Sequence, residues 1–385
     1  MYNFTFNIPT KIHFGKDTIS SLSELKAYGS KVLLVYGGGS IKKNGLYDTA
    51  MKILKDAGLT VFELSGVEPN PKIETVRKGV EICKNEGIDM VLAIGGGSTI
   101  DCSKVVAAGA KYDGDAWDLV LDGSKVKAAL PIFDVLTLSA TGTEMDPFAV
   151  ISDMSKNEKW GTGSPYMVPT MSILNPEYTF SVSKKQTAAG TADMMSHTME
   201  NYFSMENADC QKVMAEGLLR TMIKNGPAAL AQPDNYEARA NLMWAGTHAI
   251  NGVVGDGCSP AWCVHPMEHE LSAFYDITHG EGLAILTPAW MEHILNDDTL
   301  PMFVEFAKNV WGLSGDDDYA LAHAGIDALK KFFFETMGIP ANLRAVGITD
   351  DRNFEVMAKK ACEGSKGSFV PLSKDDIVEI YRAAF

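Results

Sequence analysis

The chain has 385 residues, 46% of them hydrophobic and 22% charged, with a formal net charge of -15. So acidic a surface excludes the phosphate-neutralising contacts of a nucleic-acid partner and disfavours an anionic membrane face. No apolar run approaches the roughly 18–20 residues of a membrane span, no signal-like segment opens the chain, and the six cysteines form no CxxC pair, so a cytoplasmic chain with reduced thiols is expected.

In chain order, short apolar β-branched runs come at 31–36 (KVLLVY), 61–64, 90–94 (MVLAI) and 132–138. Helix-like stretches at 45–55, 73–85 and 99–108 alternate with them. The later runs are too apolar for half-exposed strands and predict a parallel sheet covered on both faces. Strand, glycine turn, helix and strand make the βαβ unit. Between 175 and 185 the character changes, with Asn175–Pro176 as a boundary signal. Beyond it, 186–203, 209–225 and 236–251 predict helices rich in Ala, Met, Leu and Glu. The expected fold is an α/β domain with a Rossmann-like parallel sheet over 1–181 and an all-α domain over 182–385.

Two glycine triplets follow predicted strands, Gly37-Gly38-Gly39-Ser40 and Gly95-Gly96-Gly97-Ser98. Glycine lets the backbone approach a phosphate, and a helix N-terminus offers N–H groups and partial positive charge. Two such turns in one sheet point to a dinucleotide, although neither matches GxGxxG. The hydroxyl-rich segment LTLSATGTEMD at 136–146 suits pyrophosphate or ribose contacts. The first turn offers Gly38, Gly39 and Ser40 with Lys42 and Lys43 behind, and no acidic residue in that turn opposes a 2'-phosphate. NADP is therefore expected ahead of NAD.

In the second half, Asp193 and His197 are four apart, as are His265 and His269, and His279 precedes Gly280. On helices such pairs share a face. One carboxylate with several imidazoles suits Fe²⁺, Zn²⁺, Co²⁺ or Mn²⁺. No Lys or Arg occurs between Lys185 and Lys212, or between Arg239 and Lys308. A cation would repel such neighbours, and their absence predicts a neutral substrate.

These stretches resemble the iron-containing (group III) alcohol dehydrogenases, most closely their butanol dehydrogenase and aldehyde reductase branch. The similarity lies in GGGS at 37–40, EPNP at 68–71, GGGSTIDCSK at 95–104, LTLSATGTE at 136–144, ADMMSHTMENY at 192–202, RANLMWAGTHAINGVVG at 239–255 and HPMEHELSAFYDITHG at 265–280. The resemblance implies metal ligation by Asp193, His197, His265 and His279, with His269 beside the nicotinamide. It puts Gly38, Gly39 and Ser40 at the adenosine ribose and Asn70 on the adenine side. Gly96, Gly97 and Ser98 fall at the pyrophosphate, Asp101 near the nicotinamide, Thr137 and Thr141 at pyrophosphate and nicotinamide. Lys159 falls close to the cofactor and Tyr178 near the ribose. The implied activity is hydride transfer between NADP (or NAD) and a small neutral aldehyde such as butanal, with His269 and Asp101 as catalytic candidates, in a homodimer. Pro266, directly after His265, is tolerated in a first helical turn, with His265 then expected at the cap. Dehydroquinate synthase-like and glycerol dehydrogenase-like enzymes share the architecture, but the anionic substrate of the former needs the Lys and Arg that these stretches lack.

Overall fold

The structure, a computed structural model, describes residues 1–204, 208–259, 262–366 and 368–385. The chain divides into two compact units, Asn7–Val182 and Ser183–Phe385 with Met1–Phe6.

The first unit is built on a six-stranded sheet. Its strands are β1 (Lys11–Phe14), β2 (Lys31–Tyr36), β3 (Thr60–Ser65), β4 (Met90–Gly95), β5 (Ile132–Leu136) and β8 (Met171–Leu174), in the order β1-β8-β5-β4-β2-β3. Every neighbouring pair is parallel. Alternation along the strands explains the continuous apolar runs. Leu33, Val35 and Val91 enter one core, whereas Val32, Leu34, Met90, Leu92 and Ile94 enter the core on the opposite face. A doubly covered sheet with Rossmann-like connections was expected and is what forms.

Two strands, β1 and β8, fall outside the predicted runs because each is only four residues long. An antiparallel hairpin, β6 (Phe148–Asp153) with β7 (Glu158–Gly163), was also missed; its second strand reads EKWGTG and carries no apolar alternation. The run predicted over 132–138 leaves the sheet after Leu136, which frees Thr137 and Leu138 for the loop above the second glycine turn.

The second unit is helical. Ser183 caps the Lys184–Tyr202 helix by accepting from the Gln186 N–H at 3.2 Å. From Thr187 to Tyr202 every residue of that helix is buried. Such a helix has no solvent face to support a charge, so a polar residue on it needs a partner. The Asp209–Ala231 helix runs on through Pro227, past the end expected at 225, and Tyr236–His248 stops before 251. Met1–Phe6 departs from the domain expected over 1–181. These residues belong to the helical unit, where the Tyr2 N–H donates to the Gly257 carbonyl at 2.8 Å. Among the described residues no helix is long and apolar enough to cross a membrane.

Candidate metal centre and dinucleotide turns

Three helices of the second unit bring the predicted ligands together. Lys184–Tyr202 carries Asp193 and His197, Val264–Tyr275 carries His265, Glu268 and His269, and His279 opens the His279–Ile294 helix. The Nε2 atoms of His197, His265 and His279 lie 3.5, 3.7 and 3.7 Å from one atom, Asp193 Oδ1. These distances are too long for hydrogen bonds. Four ligand atoms bound tetrahedrally at about 2.1 Å would lie ~3.4 Å apart, which is close to this spacing. Asp193 Oδ1 and His265 Nε2 are buried without a hydrogen-bond partner. Leaving such atoms unpaired is costly, and a cation satisfies both at once. The donor set therefore fits a divalent ion.

Two buried glutamates absent from the sequence reading complete the arrangement. The His265 Nδ1–H donates to Glu200 Oε1, and the His279 Nδ1–H donates to Glu268 Oε2. A carboxylate accepts only, so each pair fixes its tautomer and leaves the Nε2 lone pair facing Asp193. Glu200 also accepts from the backbone N–H groups of Val264 and His265, at 2.9 and 3.3 Å. Ser272 donates to Glu268. The signal was present in the spacing, since Glu200 follows His197 by three residues and Glu268 follows His265 by three. What each glutamate touches, however, is a histidine on another element.

The electrostatics follow from burial and these contacts. Burial alone would raise Asp193, but the surrounding imidazoles overcome it and hold the carboxyl below its usual range. Burial pushes His197 down to about 3, leaving it a neutral ligand. Burial opposes a charge on His265 as well, yet Glu200 and Asp193 drive it up to about 9. A proton or a cation can thus neutralise the same group of carboxylates.

His269 lies outside the set facing Asp193. It offers a ring nitrogen within 4.8 Å of ligand atoms from Glu268 and His279, and its ring centroid is 6.2 Å from that of His265. Pro266 does not disturb His265. The helix starts at Val264, two residues earlier than a His265 cap would give, so Pro266 falls in the first turn, where its missing N–H has no intrahelical partner to lose. Trp262 packs edge-on to His265 at 5.2 Å and holds a left-handed φ of 33°. Gly280 is required by close approach, because a Cβ there would lie 2.0 Å from the Ala189 carbonyl oxygen on the Lys184–Tyr202 helix.

The first unit holds the two glycine turns. In the second turn the glycines are packed tightly. A Cβ on Gly97 would lie 2.4 Å from Thr141 Oγ1, and one on Gly96 would lie 3.2 Å from Leu138 Cβ. The Gly97–Gly109 helix that follows carries no side-chain cap at its N-terminus. Such an N-terminus is suited to an anion, with Ser98 in its first turn and Thr137 and Thr141 from the neighbouring loop beside it. The Thr137 N–H donates to the Gly95 carbonyl at 2.9 Å.

Asp101 sits one turn along and is buried, and both of its oxygens are used. Oδ1 accepts from the Thr143 hydroxyl at 2.7 Å and Oδ2 from the Val150 N–H at 2.9 Å. Burial pushes it up to about 6 against the pull of Lys104. The carboxylate ties the glycine helix to the loop and hairpin. Lys159 is buried on β7, paired across the hairpin with Ser152. Asn70 is half-buried at a left-handed φ of 49°. Tyr178 lines a cavity of about 390 Å³ with Asn44, Leu46 and Phe180.

The first turn is open where the second is packed. A Cβ on Gly38 or Gly39 would meet nothing within 4 Å, and Gly39 is held at a φ of 99° that favours glycine. The turn itself holds no acidic residue, as expected, but Glu63 of the adjoining strand β3 receives hydrogen bonds from Tyr36, the residue before Gly37, and from Tyr47.

Comparison with known proteins agrees with this geometry. The profile described as iron-containing alcohol dehydrogenase matches residues 9–176, and that of the C-terminal part of the Fe-containing alcohol dehydrogenase family matches residues 187–385. NADH-dependent butanol dehydrogenase A of Clostridium acetobutylicum is 56% identical over 100% of both chains. The NADPH-dependent aldehyde reductase YqhD of Escherichia coli is 39% identical over 94% of this chain and 93% of its own. The crystal structure of NADH-dependent butanol dehydrogenase A from Thermotoga maritima superposes with a TM-score of 0.95 at 42% identity, covering 100% of this chain and 99% of that one. The chain belongs to the iron-containing alcohol dehydrogenase family.

Proposed function

We propose that this protein is a metal-dependent alcohol dehydrogenase, working as an aldehyde reductase on short- to medium-chain aldehydes such as butanal, with NAD(P)H as hydride source. The observation that carries the reading is the single carboxylate oxygen of Asp193 faced by three imidazole Nε2 atoms at 3.5–3.7 Å. A mixed set of three nitrogens and one oxygen supports Fe²⁺ or Zn²⁺, with Co²⁺ or Mn²⁺ as possible replacements. When bound, the ion supplies Lewis acidity toward a carbonyl oxygen, and the reduced nicotinamide supplies the hydride.

The chain's own residues do the rest. Asp193, His197, His265 and His279 hold the ion, while Glu200 and Glu268 lock the orientation of two of the imidazoles. Gly96, Gly97 and Ser98 bind the pyrophosphate through backbone N–H groups, with Thr137 and Thr141 beside them. Gly38, Gly39, Ser40, Asn70, Lys159 and Tyr178 complete the proposed dinucleotide contacts. His269 gives a ring proton to the product oxygen. Asp101, whose two oxygens are occupied, holds the turn in place. A neutral substrate fits a cluster whose ligand-bearing stretches contain no Lys or Arg. Lys185, at their border, is 3.1 Å from Glu281. The reading extends to a cytoplasmic homodimer, which sedimentation equilibrium would check.

The test is butanal reduction with NADH or NADPH, on protein stripped of metal and then reloaded. Activity should vanish on stripping and return with a divalent ion. Absence of turnover with every added metal would refute the proposal.

A further inference from the structure

Beside the open first turn lies a small cluster joining four elements. Tyr36, the last residue of β2, donates its hydroxyl to Glu63 Oε2 at 2.6 Å. Tyr47, in the Leu46–Asp56 helix, donates to Glu63 Oε1 at 2.8 Å. Lys42, two residues past Ser40, places its Nζ 4.9 Å from the Tyr36 ring centroid and 4.5 Å from that of Tyr47. The same ammonium is 3.9 Å from Glu63 Oε2. The two rings meet edge-on at 5.7 Å. Phenol donors hold the Glu63 carboxylate in place, and the carboxylate with the two ring faces holds the ammonium.

Selection for a 2'-phosphate normally needs a free cation beside the ribose end, and an acidic residue there selects against it. Lys42 stands at the right point in the chain to be that cation, yet its charge is already spent on Glu63 and the tyrosines. We propose that Glu63 is a positioning residue for dinucleotide choice: it withdraws Lys42 from the 2' position, so that this chain prefers NADH to NADPH. The inference rests on the dehydrogenase reading above and adds to it the form of the cofactor. Glu63 acts through Lys42, because both of its oxygens are occupied by phenols.

The test measures dissociation constants for NADH and NADPH on the intact chain, by energy transfer from tryptophan to the reduced nicotinamide. Wild type should bind NADH more tightly. Glu63→Gln retains an acceptor for a phenol but drops the charge, and should lower the NADPH-to-NADH ratio of dissociation constants by roughly two- to fivefold. Adding Lys42→Met should abolish that gain, and rising salt should weaken it for NADPH more than for NADH. Lys42→Met alone, at an exposed position, should move the ratio by less than about twofold.

A wild-type preference for NADPH would overturn the proposal. So would a Glu63→Gln ratio shifted by less than about twofold, or a gain that survives Lys42→Met but is lost with Lys43→Met. A marked loss of NADPH affinity in Lys42→Met alone would show the lysine already at the phosphate and would equally refute it. Failure of the wild type to bind either dinucleotide would refute the dehydrogenase reading itself, an outcome distinct from the others.

Discussion

Gly280→Ala should dismantle the metal centre without touching a ligand. The added Cβ would stand 2.0 Å from the Ala189 carbonyl oxygen and 2.6 Å from its carbon. Carbon and carbonyl oxygen settle at about 3.3 Å, so the two helices must part by ~1.3 Å along this contact. The obstacle is backbone on both sides, and no flexible side chain can yield. His279 is the residue before Gly280, and its Nε2 starts 3.7 Å from Asp193 Oδ1. A separation of that size exceeds the few tenths of an ångström that metal–ligand bonds tolerate. Losing even an outer contact to a ligand costs about 10–100-fold in affinity, so losing His279 should cost at least ~100-fold. Overpacking should cost a further ~1–3 kcal/mol of stability. Titration with Co²⁺, followed by its visible absorption, reads the first effect, and thermal unfolding of the metal-free protein reads the second. Wild-type Co²⁺ affinity in Gly280→Ala would refute the claim that this contact sets the position of His279.

Glu268→Gln should weaken metal binding about 10–100-fold while leaving all four ligands present; an unchanged affinity would mean that Glu268 does not orient His279. Glu200→Gln should show the same loss plus a lower melting temperature, since Glu200 also serves two backbone N–H groups. His269→Ala should retain the metal and lose rate by about 10²–10⁴-fold; loss of the metal instead would show that the histidines have been divided wrongly. Asp101, pushed up to about 6 when folded and near 3.9 unfolded, holds more protons in the native state. Its contribution is therefore fully present below the unfolded value and fades as pH rises through 6. The stability of Asp101→Asn relative to wild type should climb by up to about 3 kcal/mol between pH 4 and 7, measured by urea unfolding.

The parts of the molecule legible in the sequence are those governed by local periodicity. β4 and β5 are buried on both faces, and a run such as MVLAI admits no half-exposed alternative. Asp193 and His197 are neighbours because four residues make about one helical turn. The glycine turns were visible because few other residues fit tight turns. What stayed hidden depends on partners distant in the chain. Glu200 meets His265 across 65 residues, and Glu63 meets Tyr36 across 27. Gly280 follows His279 with no local sign of the Ala189 carbonyl that packs against it from another helix. The short strands β1 and β8 take their identity from the neighbours they pair with, and KIHF alone contains too few residues to declare a period.

The placement of His265 and His279 in the first turns of their helices has an electrical consequence. Each helix N-terminus presents about half a positive charge. The carboxylates of Asp193, Glu200 and Glu268 bring three negative charges to the same buried volume. With a divalent ion in place the sum is close to zero, so the interior carries no net charge to attract or repel an ionic compound, which suits an uncharged carbonyl compound. An ion of charge three would leave about one positive charge in excess, in surroundings that cannot solvate it. By this balance the fold favours a divalent over a trivalent ion, so the charge of the ion the site can hold is set by the protein's charge distribution as well as by the ligand atoms.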